Sequence, residues 1–241
     1  KFTKKNIIRD NLSNINKVED NLLSVALKTK TIDIKPKIKL DSRTSIWEKN
    51  FSEKKINFIK TLLPLIEFEN QKILLERKKL LDIRFSLQAE KTLSDQNIKY
   101  LKNISQKYEV NEKNIHKVDL INELLINVNI IPNSIALAQA INESGWGTSR
   151  FAKEYNALFG QYTYDSNNGV IPFEREEGKK HLIKNFSSIE KSVESYFYNI
   201  NSHHAYKDFR KVRNQIKIED LKFYIERLTQ KLEVYAEDKF Y

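Results

Sequence analysis

The stretch IPNSIALAQAINESGWGTSRFAKEYNALFG, Ile131 to Gly160, decides how the rest of the chain reads. Pro132 suits the first turn of a helix, where a missing N–H costs nothing. Ser134 to Glu143 then form a short helix, closed by Gly145 and Gly147, which supply the backbone freedom a helix end needs. Helical spacing separates two arcs. Ile135, Leu137, Ala138 and Ile141 make an arc suited to burial, and Ala136, Gln139, Ala140 and Glu143 make a small, polar arc with room for a ligand. Glu143 falls in the last turn, with Trp146 three residues on. A carboxyl beside an aromatic surface has its acid form favoured by desolvation, and at a helix C-terminus it also opposes the dipole. Both effects suit a general acid working near neutral pH.

AQAINESGWGTSRFA followed by NALFG resembles the signature of the bacterial Bax-type proteins and the wider glucosaminidase group, glycoside hydrolase family 73, lysozyme-like. Lys54–Leu81 is similar to the helical segment ahead of the catalytic part in that group, and Gly169–Arg213 resembles the segment C-terminal to that part. The likeness runs from about Ile46 to Arg213. Ala157 stands where the family usually has a second asparagine.

The resemblance implies an endo-β-N-acetylglucosaminidase that cleaves the glycan of peptidoglycan, with Glu143 as proton donor. Alternatives are a lytic transglycosylase on the same glycan and a wall-binding scaffold without turnover. Glu174 and Glu177, with Glu176 beside them, are candidates for a second catalytic carboxylate. Alternatively the substrate's acetamido group attacks, positioned by Tyr196 or Tyr206, which lie in stretches resembling the family's tyrosine-containing regions. Gln139, Trp146, Phe159, Gln161 and Tyr162 are the candidate substrate-binding residues. Trp146, Phe159 and Tyr162 suit stacking on sugar faces, and at least one of them also suits the core.

Composition bounds the alternatives. The 241 residues suffice for one good core, and 40% hydrophobic with 11% aromatic content belongs to a folded chain. No cysteine is present, which excludes disulfides and cysteine metal sites. His203 and His204 lack the further ligands that a zinc site needs, and His116 reads as a surface or capping residue. No cofactor is expected. A net charge of +10 means attraction to anionic surfaces, of which the cell wall is one. No zinc-finger, helix-turn-helix or single-strand-binding pattern supports nucleic acid as the partner. The chain has no methionine and no apolar run of membrane-spanning length. The expectation is an exported protein, periplasmic or envelope-associated, with its signal or anchor not in this chain.

The fold class expected is α+β, predominantly helical, with a small antiparallel β lobe. Residues 1–45 read as an extension: an amphipathic helix over Lys1–Lys28, packed on the domain or turned to an envelope partner or interface, then an extended linker. Residues 46–241 form the lysozyme-like domain, with a helical leader and C-terminal helices. From Ser45 to Leu87 apolar residues recur at three- and four-residue steps, and Pro64 marks either a kink or the start of a second helix. Glu67, Glu69 and Glu76 read as solvated carboxylates of a helix surface, while the resemblance implies that Glu67 or Glu69 near Asn70 lines something. Helices are also expected from Ser94-Asp95, from His116 to Asn127, over Thr148–Glu154, from Ser187-Ser188 to Ile200, over Ala205–Gln215 and over Glu219–Ala236. Gln161–Tyr164, Val170–Phe173 and His181–Phe186 carry the alternation and turn residues of strands.

Overall fold

The structure is a computed structural model that describes residues 53–89, 92–172, 180–215 and 221–232. The readings made for residues 1–45, and for Ser52 as a helix cap, lie outside these. So do Phe173, Glu174, Glu176 and Glu177.

Helix α1 (Glu53–Gln88) is the spine. Its 36 residues make a rod about 54 Å long at 1.5 Å per residue. The helix continues through Pro64, so the leader is a single element. Proline removes one backbone hydrogen bond, and burial of Leu62 and Ile66 on either side of it holds the flanking turns in place. Leu62, Ile66, Ile73, Leu80 and Ile83 form one buried stripe, with Glu69 and Asn70 buried between them. Against this stripe pack α3 (Lys117–Asn127), α4 (Asn133–Ser144) and a later helix, α6 (Ile189–Ser202).

Helix α2 (Asp95–Lys107) precedes α3 and is capped by Ser94, whose hydroxyl accepts from the Asn97 amide. After α4 comes the short α5 (Arg150–Tyr155), capped in the same way by Ser149. Strands β1 (Tyr162–Thr163), β2 (Gly169–Val170) and β3 (Leu182–Lys184) form an antiparallel sheet in the order β1-β3-β2. Tyr162 pairs with Ile183 and Gly169 with Lys184. The strands are shorter than their alternation predicts, but their places and antiparallel pairing are those expected. Beyond α6, itself capped by Ser188, a 3₁₀ turn (His204–Tyr206) leads into α7 (Lys207–Gln215), and α8 (Leu221–Gln230) follows.

Among the described residues two apolar cores result. The larger gathers the helices around Ile121, Leu124, Ile135, Val193, Ile200 and Phe209. The smaller ties the sheet to α5 through Ala157, Ile183 and Phe186. Ala157 is 2% exposed there, so the methyl group serves packing where an asparagine would bring a polar amide into an apolar cluster.

The chain entering α4 is fixed by buried polar groups as well as by the apolar contacts of Ile131. Asn70 accepts from the Ile131 amide at 3.0 Å and donates to the Ile131 carbonyl and to Asn133 Oδ1, each at 2.8 Å. Arg77 donates to the carbonyls of Leu125 and Val128. Arg213, 3% exposed, donates to those of Ile126, Asn127 and Ile130 and to Asn201 Oδ1. These guanidinium groups take up the carbonyls that the end of α3 leaves without helical partners.

Candidate active site

Helix α4 ends in a sharp left-handed turn. Gly145, Trp146 and Gly147 have φ of +55°, +61° and +71° in succession. For tryptophan this conformation costs about 1–2 kcal/mol, so surrounding contacts must hold it. The Ser144 hydroxyl donates to the Ala140 carbonyl and accepts from the Gly147 amide at 2.8 Å, while Thr148 Oγ1 donates to the Gly145 carbonyl. Gly147 lies flat on Phe58 of α1, where an added Cβ would stand 3.0 Å from the ring. The Trp146 ring meets Phe58 edge-on at 6.1 Å and lies 4.9 Å beneath the Lys55 ammonium, a cation–π contact.

Glu143, half-buried, stands in the last turn of α4. Its carboxylate reaches the loop after α5. Gly160, at φ +58°, presents a bare α-carbon to it, and a Cβ there would lie 2.7 Å from Glu143 Oε2. The loop is itself anchored: Asn156, in the left-handed region, donates to the Phe186 carbonyl at 2.9 Å, and the Leu158 amide donates to Ser192 Oγ at 3.2 Å. The acid thus sits where the helical part meets the segment leading into the sheet.

The faces of α4 differ from those read off the sequence. Ile135, Ala136, Ala140 and Ser144 are buried, whereas Ala138 is exposed and Leu137 and Ile141 are half-buried. Ala136 and Ala140, assigned to the ligand arc, instead sit in the core. Small side chains let α4 approach its neighbours closely, a requirement that hydropathy alone does not encode. Gln139 remains beside Glu143 on the half-buried side, and its Oε1 is shut from solvent without a hydrogen-bond donor among the described residues.

The aromatic candidates divide. Phe159 (1% exposed) and Tyr196 (0%) stack at 4.1 Å, nearly parallel, inside the main core. Tyr206 is likewise 0% exposed. All three therefore act as packing groups in this conformation, which corrects the expectation that they touch substrate: no ring face is open to it. Gln161 is also buried, its amide donating weakly to the Ser195 carbonyl at 3.4 Å. Trp146 and Tyr162 stay half-exposed, and the Tyr162 ring stacks on His181 at 4.3 Å. Strand alternation included His181, but nothing in the sequence singled it out as the ring partner of Tyr162.

The glucosaminidase family, described as mannosyl-glycoprotein endo-beta-N-acetylglucosaminidase, matches residues 118–241, which include α4, the Gly145–Gly147 turn and the sheet. The chain belongs to the glucosaminidase family. It is also similar to Protein bax of Escherichia coli (strain K12), at 35% identity over 180 residues. That alignment takes in 74% of this chain and 62% of the relative. The chain thus spans less than two thirds of that protein's length. No solved structure matches it. Among the described residues, no group of three or more His, Cys, Asp or Glu side chains converges as a metal site. No described helix is long and apolar enough to cross a membrane.

Proposed function

We propose that this member of the glucosaminidase family is an exported endo-β-N-acetylglucosaminidase of the cell envelope that cleaves the glycan of peptidoglycan. The observation that carries the reading is the seating of Glu143: a half-buried carboxylate at the end of α4, held against the bare Gly160 where the helices meet the segment leading to the sheet. Breaking a glycosidic bond needs a proton for the departing oxygen and stabilisation of positive charge on the anomeric carbon. Glu143 gives that proton to the bridging oxygen. Water, or the substrate's acetamido oxygen followed by water, completes the new bond at the anomeric carbon, and one proton returns to the carboxylate. Tyr196 and Tyr206 are too deeply buried to position the acetamido group, which leaves Glu174 and Glu177, outside the described residues, as the candidates for a second catalytic carboxylate. The net charge of +10 favours encounter with an anionic wall.

The test is digestion of purified sacculi with mass spectrometry of the products. The expected products carry a reducing N-acetylglucosamine end, and Glu143→Gln lowers their release by about 10²–10⁴-fold while the protein still binds the wall. Anhydro-muramyl ends would assign a transglycosylase instead. Binding by the wild type without any released fragment would assign a scaffold.

A further inference from the structure

On the α6 side of the sheet lies a cleft of about 540 Å³, within the size range of small-ligand sites (about 300–1,000 Å³). Its wall is formed by α1, the end of α2, the end of β3 and α6. Lys184 projects into it half-buried, with its ammonium donating to Ser195 Oγ at 3.1 Å. Among the described residues no carboxylate pairs with Lys184, and burial alone lowers its pKa. The other lysines of the cleft are matched: Lys72 to Glu69 at 2.7 Å, Lys191 to Glu194 at 2.6 Å and Lys107 to Glu76 at 2.6 Å. A half-buried ammonium served by one neutral hydroxyl and by the face of the Phe186 ring at 5.5 Å lacks the counter-charge that such a group ordinarily has.

The cleft is also mixed in sign. Glu69 and Glu194 line it with the lysines, over apolar surface from Ile73, Phe186 and Phe197. A phosphate-rich ligand would meet those carboxylates unfavourably, whereas a short peptide bearing carboxylates and an amino group carries both signs, as the cleft does. We propose that this cleft is a second binding site, for the short acidic peptides that hang from a peptidoglycan glycan, with Lys184 receiving a peptide carboxylate. The inference rests on the reading of the chain as a peptidoglycan hydrolase. Gln161 links the two regions. It follows Gly160 in sequence, its carbonyl accepts from the Lys184 amide at 2.7 Å, and its side chain meets Ser195 on the cleft wall. The cleft is thus tied through the backbone of Gln161 to the loop on which Glu143 is seated.

The probe is the free tetrapeptide L-Ala-γ-D-Glu-diaminopimelate-D-Ala, titrated calorimetrically into the whole chain. The wild type and Glu143→Gln are expected to bind it equally, and Lys184→Met to weaken binding by at least about tenfold, the loss of a charge-assisted hydrogen bond. Amidating the peptide's carboxylates is expected to weaken binding similarly. In a measurement that needs no variant, the peptide shields Lys184 of the wild type from an amine-acetylating reagent, read by mass spectrometry. No binding by the wild type, unaltered binding by a folded Lys184→Met, or no shielding of Lys184 would overturn the proposal. Inorganic phosphate binding more tightly than the peptide would also overturn it. A protein that digests sacculi yet ignores the peptide refutes the cleft alone. One that binds the peptide while Glu143→Gln digests normally refutes the assigned acid instead.

Discussion

The carboxylate of Glu143 occupies the space that a side chain on Gly160 would fill, 2.7 Å from where a Cβ would stand. The glycine of the Asn-Ala-Leu-Phe-Gly turn is thus part of the seat of the acid. Its left-handed φ of +58° adds a second, independent reason for glycine.

Gly160→Ala is therefore expected to fail twice. The left-handed backbone and the forced movement of Glu143 together cost about 1–3 kcal/mol, and glycan cleavage drops by at least about tenfold. A double-mutant cycle separates the two causes. In a Glu143→Ala background the stability cost of Gly160→Ala shrinks to the backbone share, measured by denaturant unfolding. Additive costs would show that the carboxylate and the glycine do not interact.

Asn70 holds the entrance of the helix that bears the acid. Asn70→Ala leaves the buried Ile131 amide and carbonyl without their partner, and is expected to destabilise the fold by about 2–4 kcal/mol. The urea midpoint should fall with its slope unchanged. A loss under 0.5 kcal/mol, roughly that of an ordinary surface change, would show that the tether is dispensable.

Arg213 gathers the carbonyls at the end of α3 and the Asn201 side chain with one planar fork. Arg213→Met is expected to cost about 2–4 kcal/mol, mostly from stranded acceptors. Arg213→Lys should recover little of that loss, because an ammonium cannot reach acceptors spread along a guanidinium edge. Thermal unfolding of both variants checks this, and full rescue by lysine would contradict the fork geometry.

His203 gives the fold a pH response. Burial, and next the neighbouring His204, hold its pKa below the ordinary 6.5, and its Nδ1 accepts from the Ala205 amide at 3.4 Å. Because the folded-state pKa is the lower one, the unfolded chain binds the proton more readily. Stability from this group is complete above pH 6.5, falls as pH drops below that value, and levels off beneath the depressed folded value. Denaturation of wild type and His203→Gln between pH 7.5 and pH 4.5, a range of about three units around the ordinary histidine value, should show curves that diverge only as pH falls through the ordinary value of 6.5. Parallel curves would remove His203 as the cause.

Much of the site was legible because its determinants are local. Glu143 falls in the last turn of its helix by count, and the glycines after it announce the turn. The resemblance carried by Glu143 to Ala152 and Asn156 to Gly160 located the family, and the match over residues 118–241 agrees. Less legible were the aromatic residues. Phe159, Tyr196 and Tyr206 have the chemistry of sugar platforms and of core groups alike, and only their mutual stacking and burial decide between the two. Lys184 gave no signal, since a lysine in a short strand ordinarily faces water.

By itself the sequence determined where helices begin and end: Ser94, Ser149 and Ser188 each bond to an amide three residues on, and Gly145 takes the left-handed position that closes α4. Such contacts lie within one helical turn, so the chain specifies them before it folds. Only the tertiary structure decided that Ala136 and Ala140 are buried, that Gly160 lies beneath Glu143, and that Lys184 stands in a cleft without a carboxylate partner among the described residues. Those outcomes depend on which distant surfaces come within a few ångströms of one another, and the packing of α4 and α6 against α1 sets that distance.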